Sequence, residues 1–334
     1  MELITLGTSC AIPTKSRNLA ATMLLYEGTQ ILIDAGEDVQ RQYEKASLRF
    51  NAPLIILISH LHGDHVIGLP GLLFHFNLID RNAPTNIFGP IGLFQYLIAH
   101  KHLVGLKASH LQAIYEFTDD PKKLRKYDFN DITENTGKLV DLEEANLIYS
   151  GEEFTIKAIP VEHSIPTWGF RIEENQRPGR FNPERARELN IPMGPLWHKI
   201  QNSQPDTKID VNGKILDPHK LGVIGNPRPG AIVGYSGDTK PTPSVNEIAR
   251  DADIFVCEST YSDNLQEIAA EKKHMTAKQA AMIARECNVK RLVLTHLSTR
   301  YGSDEADQIL SEAKSIFPNS ILAEDLMRIP INRD

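Results

Sequence analysis

Residues 54–65 read Leu-Ile-Ile-Leu-Ile-Ser-His-Leu-His-Gly-Asp-His. Five aliphatic residues break into three imidazoles and a carboxylate within six positions. The run Leu54 to Ile58 has the composition of a buried strand. His and Asp are poor core residues, and burying four polar groups without partners is costly. Neutral imidazole with carboxylate is the ligand set that suits zinc. His60, His62, Asp64 and His65 are therefore expected to hold metal at the end of a strand.

Three more residues stand at the same kind of position. Phe154 to Val161 ends at Glu162-His163, Ala231 to Tyr235 runs into Ser236-Gly237-Asp238, and Arg291 to Thr295 ends at His296. Polar residues at strand ends converge on one edge of a sheet. Together with the cluster, His163, Asp238 and His296 make a seven-residue ligand set, which suits two metals better than one. Two zinc ions sharing a carboxylate bring bound water towards ionisation at neutral pH. The chemistry expected is hydrolysis of an ester, thioester, lactam or phosphodiester. A second His-x-His pair, His100 and His102, lies in a helical pattern where residues two apart face different sides. No Asp-x-His follows it, so it is expected to be solvated.

The rest of the chain reads as a scaffold. It has 334 residues, 41% hydrophobic and 24% charged, enough for a sizeable core. No apolar run is long enough to span a membrane. The N-terminus enters a strand pattern directly, without the features of a signal peptide. Cys10, Cys257 and Cys287 suggest no disulfide framework, and a cytoplasmic setting is expected. The net charge of −7 argues against a general nucleic-acid binder, yet leaves a local basic surface open.

Strands are expected near 3–7, 21–26, 30–35, 86–90, 111–117, 138–142, 153–161, 231–235, 253–257, 291–295 and 319–332. Helices are expected at 37–50, 70–77, 92–106, 276–287 and 303–317, with Thr276 as an N-cap. Residues 119–137 form a charged insert. Residues 171–230 are rich in Pro and Gly, including Pro205, and read as an excursion from the main fold.

His60-Leu61-His62-Gly63-Asp64-His65 resembles the His-x-His-x-Asp-His signature of the metallo-β-lactamase superfamily. Within it the chain is similar to the ribonuclease Z family of tRNA 3′-processing endonucleases, over nearly its whole length. The stretches that carry this are Gly7-Thr8 with Pro13-Thr14-Lys15 and Arg17-Asn18; Ile33-Asp34-Ala35-Gly36-Glu37; Gly68-Leu69-Pro70-Gly71-Leu72-Leu73; Ser236-Gly237-Asp238-Thr239; and Thr295-His296-Leu297-Ser298 with Arg300-Tyr301.

The resemblance implies an α/β fold of the αββα metallo-β-lactamase type. Two mixed sheets would be flanked by helices in a single domain over 1–334, with a flexible arm inserted at 171–200. It implies two zinc ions (manganese or iron could replace them). His60, His62 and His163 would hold one, Asp64, His65 and His296 the other, and Asp238 would bridge. Asp64 would act as general base.

Cys257-Glu258-Ser259-Thr260 and His274-Met275-Thr276 stand where the family carries His-Glu-Ala-Thr and His-Ser-Thr. Glu258 and His274 would pair, with His274 protonating the leaving oxygen. Cys257 is read as a small buried hydrophobe. The activity implied is removal of the 3′ trailer from precursor tRNA by hydroxide attack on a phosphodiester. It would leave a tRNA 3′-hydroxyl and a trailer 5′-phosphate.

Substrate contacts are expected from Arg177, Arg180, Phe181, Gly194, Pro195, Thr276 and Arg300, with help from Lys15 and Arg17. Phe181, Leu196 and Trp197 read as exposed. The family implies a homodimer in which the arm of one subunit presents tRNA to the other's active site. Two alternatives stay open: a small-molecule phosphodiesterase or other hydrolase of the same fold, and a catalytically silent RNA-binding homologue.

Overall fold

A computed structural model describes residues 1–131, 137–203, 206–211 and 213–332. Part of the charged insert (132–136) and Pro205 lie outside the described residues. The first strands are β1 (Glu2–Gly7), β2 (Ala21–Tyr26), β3 (Thr29–Ile33), β4 (Leu54–Leu57), β5 (Thr85–Gly89), β6 (Leu111–Phe117), β7 (Lys123–Tyr127), β8 (Lys138–Asp141) and β9 (Leu147–Ser150). There follow β10 (Phe154–Val161), β11 (Thr167–Glu174), β12 (Ile209–Val211), β13 (Lys214–Leu216), β14 (Ile232–Tyr235), β15 (Ile254–Glu258), β16 (Leu292–Thr295), β17 (Ser320–Leu322) and β18 (Met327–Pro330).

Nine strands form one mixed sheet in the order β18-β1-β2-β3-β4-β5-β6-β7-β8. Strands β3 to β6 are parallel, and the strands outside them pair antiparallel. A seven-stranded sheet runs β17-β16-β15-β14-β11-β10-β9, parallel from β14 to β17. Strands β4, β15 and β16 are buried along their whole length. Parallel strands covered on both faces need such unbroken apolar runs.

Each sheet buries its outer face under helices. Tyr43 of Val39–Lys45, Leu72 and Phe76 of Leu69–Leu78, and Phe94 of Leu93–Val104 pack with Ile56, Ile87 and Ile114 of the first sheet. On the second, Ile248, Ala281 and Ile309 from helices Pro243–Ala249, Ala277–Glu286 and Ser303–Lys314 pack with Phe255, Leu292 and Leu294. Each fully buried Leu, Ile or Phe is worth roughly 1.5–3 kcal/mol of transfer free energy. The inner faces meet where the Phe117 ring lies 4.8 Å from Trp168. This is the αββα sandwich expected from the sequence.

The expected helix at 37–50 is confined to Val39–Lys45, because Asp38 and Ser47 take left-handed backbone (φ 67° and 54°). Strands β7, β9 and β11 were not legible. In β7, Lys-Leu-Arg-Lys-Tyr, only Leu124 is fully buried, so apolar periodicity is nearly absent. The helix at 276–287 forms as Ala277–Glu286, with Thr276 capping it.

A second compact unit comprises Glu152–Phe154 and Glu173–Ala231, and holds most of the segment expected as an arm. Arg177 and Arg228 exchange backbone hydrogen bonds of 3.0 and 2.9 Å at its base. It has its own small core of Ala186, Ile191, Ile200, Ile209, Val223 and Ile224. Phe181, Leu196 and Trp197, read as exposed, instead pack against that core and are half-buried. The reason is scarcity: so small a unit needs its aromatic area to exclude water.

Candidate metal centre

The signature loop is held from behind by Asp34, which follows β3 in left-handed backbone (φ 60°). Its Oδ1 accepts the Ser59 N–H at 2.7 Å, and its Oδ2 accepts from Ser59 Oγ, Tyr235 Oη and His65 Nδ1, each at 2.8 Å. The Ala35 N–H donates to the His65 carbonyl at 2.7 Å. Gly68 lies against Gly36: a Cβ on Gly68 would stand 2.0 Å from the Gly36 carbonyl oxygen, so only glycine permits the approach. His296 follows β16 with φ 61°. A non-glycine residue held there stores about 1 kcal/mol or more of strain, a pattern associated with functional sites.

All seven sequence-predicted ligands converge. His60 Nε2 lies 3.0 Å from His62 Nδ1, which lies 3.3 Å from His163 Nε2. His65 Nε2 lies 3.2 Å from His296 Nε2. Asp238 Oδ2 stands between the two groups, 3.7 Å from His60, 3.4 Å from His65 and 3.3 Å from His296. Asp64 Oδ2 is 3.4 Å from His296 and 3.7 Å from His65.

The hydrogen bonds around the cluster fix the tautomers. His65 Nδ1–H donates to Asp34 and His163 Nδ1–H to the Lys273 carbonyl at 3.2 Å. Ser59 Oγ spends its proton on Asp34, so it accepts from His60 Nδ1–H at 2.9 Å. Thr260 Oγ1 spends its own on Glu258, so it accepts from His296 Nδ1–H at 3.0 Å. Four imidazoles thus direct Nε2 inward, His62 adds Nδ1, and two carboxylates join them. Such an inward-facing set of acceptors fits divalent cations, each ligand oriented by an outer partner.

The electrostatics agree. Burial holds His60, His62 and His163 below the ordinary imidazole pKa, leaving them neutral donors. Burial acts the same way on His65 and His296, but Asp238 together with Asp34 for His65, and with Asp64 and Cys10 for His296, outweighs it and holds both above the ordinary value. Protons there balance charge that cations would otherwise balance.

Beside the cluster, Glu258 accepts four hydrogen bonds. Its Oε1 takes the Thr239 N–H at 2.7 Å and His274 Nδ1 at 2.9 Å, and its Oε2 takes Thr260 Oγ1 at 2.8 Å and the Met275 N–H at 3.1 Å. Burial opposes charge on His274, but the Glu258 carboxylate holds its pKa above the ordinary value. The His274 ring centroid is 4.9 Å from that of His163 and 5.6 Å from that of His296. Cys257 is buried in the helix-facing core, as expected.

Other expected residues are placed differently. Thr276 is fully buried, and its hydroxyl accepts the Gln279 N–H in a capping box, which leaves it no surface for substrate. Arg17 is committed to Thr8 Oγ1 at 2.7 Å and the Ala323 carbonyl at 2.5 Å, beside Asp325. Arg300 is exposed, 5.0 Å over the Tyr261 ring. In the second unit, Arg177 lies 3.6 Å from Glu174, while Arg180, Gly194 and Pro195 are exposed. Asp34, Tyr235 and Cys10 were not anticipated at the site. Asp34 had the available signal, since it too follows an apolar strand.

Residues 218–297 match the family model described as beta-lactamase superfamily domain, and residues 1–175 match the one described as Anti-Pycsar protein Apyc1. With the fold and the ligand cluster, these define the class: a hydrolase of the metallo-β-lactamase superfamily. Neither model spans the whole site, but full-length relatives do. A protein named Ribonuclease Z from Methanosarcina acetivorans is 36% identical over 99% of this chain and 98% of its own length. Another of that name from Nitrosopumilus maritimus is 38% identical over 99% and 100%. The chain belongs to the ribonuclease Z family. The crystal structure of human tRNase Z, short form, superposes over 99% of this chain and 100% of its own, with a TM-score of 0.66 at 24% identity, a likeness of fold.

Proposed function

We propose that this chain is a zinc-dependent endoribonuclease that removes the 3′ trailer of precursor tRNA, leaving a 3′-hydroxyl on the tRNA and a 5′-phosphate on the trailer. The full-length likeness to proteins named Ribonuclease Z carries this reading. Two zinc ions are assigned, one to His60, His62 and His163, the other to Asp64, His65 and His296, with Asp238 shared. Manganese or iron would fit the same donors.

When bound, the ions supply Lewis-acid polarisation of the phosphodiester and acidify water. The protein's own groups then have separate tasks. The Asp64 carboxylate, held by the Ala11 N–H at 2.8 Å, receives the proton of the attacking water. His274 gives a proton from Nε2 to the leaving 3′ oxygen, while Glu258 fixes its Nδ1. Glu258 is a positioning residue, since its four acceptor bonds leave it no free oxygen lone pair facing substrate.

Exposed basic residues of the Glu173–Ala231 unit, Arg180 first, are assigned to folded-RNA backbone, which is read by shape. A homodimer, and a cytoplasmic location suited to that substrate, belong to the same proposal. Among the described residues no helix is long and apolar enough to cross a membrane.

The test is incubation of the metal-loaded chain with a 3′-extended tRNA transcript and mapping of both product ends. A companion variant excises residues 178–227 and joins Arg177 to Arg228 through a short Gly-Ser turn. Loss of tRNA cleavage with retained hydrolysis of a small phosphodiester supports the assignment. Unimpaired tRNA cleavage by that variant would leave a small-molecule hydrolase as the better description.

A further inference from the structure

Cys10 enters the metal centre from a loop that ligand-pattern reasoning passes over. Its side chain groups with Asp64 and His296, the three donor atoms lying within 4.8 Å of one another. The position is set by backbone. The Cys10 N–H donates to the Leu297 carbonyl at 3.1 Å, and the Leu297 N–H donates to the Thr8 carbonyl at 3.0 Å. On the other side the Ala11 N–H holds Asp64 Oδ2 at 2.8 Å, with Ala11 itself in left-handed backbone (φ 63°). The residues after Cys10 and after His296 thus tie the loop to two of the assigned ligands.

A second observation points to a ligand at this place. His65 and His296 are at least nine-tenths buried, and their Nε2 atoms aim at the same point as Asp64 Oδ2. With both Nδ1–H groups spent on Asp34 and Thr260, Nε2 is the ring atom that each histidine turns to this point. The donors assigned to this ion are two nitrogens, the Asp64 oxygen and the oxygen of the shared Asp238. Cys10 would be a fifth donor, a number that catalytic zinc accepts, with sulfur at about 2.3 Å and nitrogen at about 2.0–2.1 Å. Donors on one such ion stand at most about 4.4 Å apart, so a grouping within 4.8 Å places Cys10 Sγ at or just beyond reach of an ion shared with Asp64 and His296.

We propose that Cys10 Sγ is a further ligand of the metal held by Asp64, His65 and His296. This gives that half of the centre a soft donor that the other half, with three imidazoles, lacks. The two positions are then chemically unequal. The one beside Cys10 favours thiophilic ions such as zinc or cadmium over manganese. Cys257 and Cys287 cannot substitute, since both pack into the core under the second sheet's helices.

The inference rests on the metal-centre reading, and the test separates the two. Wild type, Cys10→Ser and Cys257→Ser are loaded with cobalt, and metal content is measured by elemental analysis. Sulfur ligation is read from the sulfur-to-cobalt charge-transfer absorption in the near ultraviolet. The expected result is a band in wild type and Cys257→Ser, and loss of the band in Cys10→Ser at unchanged fold by circular dichroism. Cys10→Ala serves as the second variant if serine oxygen itself perturbs the fold. Full metal content without a sulfur band in wild type, or a band that survives both Cys10 variants, overturns the ligand assignment alone. A chain that takes up no cobalt overturns the metal-centre reading and this inference with it.

Discussion

His65 Nδ1 lies 2.8 Å from Asp34 Oδ2, both side chains fully buried, and this bond decides which ring nitrogen faces the metal centre. Asparagine at 34 could offer an N–H where the imidazole N–H now donates, and could turn the tautomer round. Asp34→Asn is expected to lower zinc affinity by about 10–100-fold. Titration with a competing chelator checks it. Affinity within about twofold of wild type would show that the bond orients nothing.

Glu258 fixes His274 at 2.9 Å without belonging to the assigned ligand set. His274→Ala is expected to reduce turnover on a tRNA precursor by about 10²–10⁴-fold, the usual range for a lost general acid. Zinc content and tRNA affinity should stay near normal. Loss of zinc in that variant would reassign His274 as a ligand.

Thr276 and Gln279 cap helix Ala277–Glu286 reciprocally. Thr276→Ala is expected to cost about 1 kcal/mol of stability, read as a lower urea midpoint at unchanged slope. Catalysis with a saturating substrate should be little affected, because the hydroxyl contacts no solvent. A large fall in kcat with no change in stability would return Thr276 to the substrate site.

His110 is buried, its ring edge-on to Phe76 with centroids 5.6 Å apart, and neither ring nitrogen has a hydrogen-bond partner among the described residues. Burial, helped by the Arg81 charge, lowers its pKa from 6.5 to about 4. Above pH 6.5 both folded and unfolded chains carry it neutral, and it contributes no pH dependence. Between 6.5 and 4 the unfolded chain takes up a proton that the fold refuses, so stability falls as pH falls. The loss is about 2 kcal/mol, discounted for partial solvent screening. His110→Phe should flatten this limb in melting temperatures measured from pH 7 to pH 4. An unchanged limb would mean that other groups carry it.

Local chemistry made much of this protein legible in its sequence. Aliphatic runs such as Leu54–Leu57 and Leu292–Leu294 mark buried parallel strands, because only covered strands tolerate such runs. The polar residues just beyond them mark the edge where ligands gather. Strand β7 escaped notice because a strand with a single fully buried residue carries almost no apolar signal. Phe181 and Trp197 misled because Pro- and Gly-rich sequence looks like open loop, while the rings in fact close a small core 4.9 Å apart.

By itself, then, the sequence marked the signature loop and the seven residues proposed to hold metal, since residue type and strand-end position are local properties, while the sandwich was implied by resemblance to a family. Tertiary structure alone decided which nitrogen each histidine turns inward. That depends on partners far along the chain: Asp34 for His65, Lys273 for His163, Thr260 for His296. It alone also brought Cys10 beside Asp64 and His296, from loops that are separate in the chain. A hydrogen-bond partner thirty to a hundred or so residues away leaves no periodic trace in the sequence, because it is set by tertiary packing and not by any local preference.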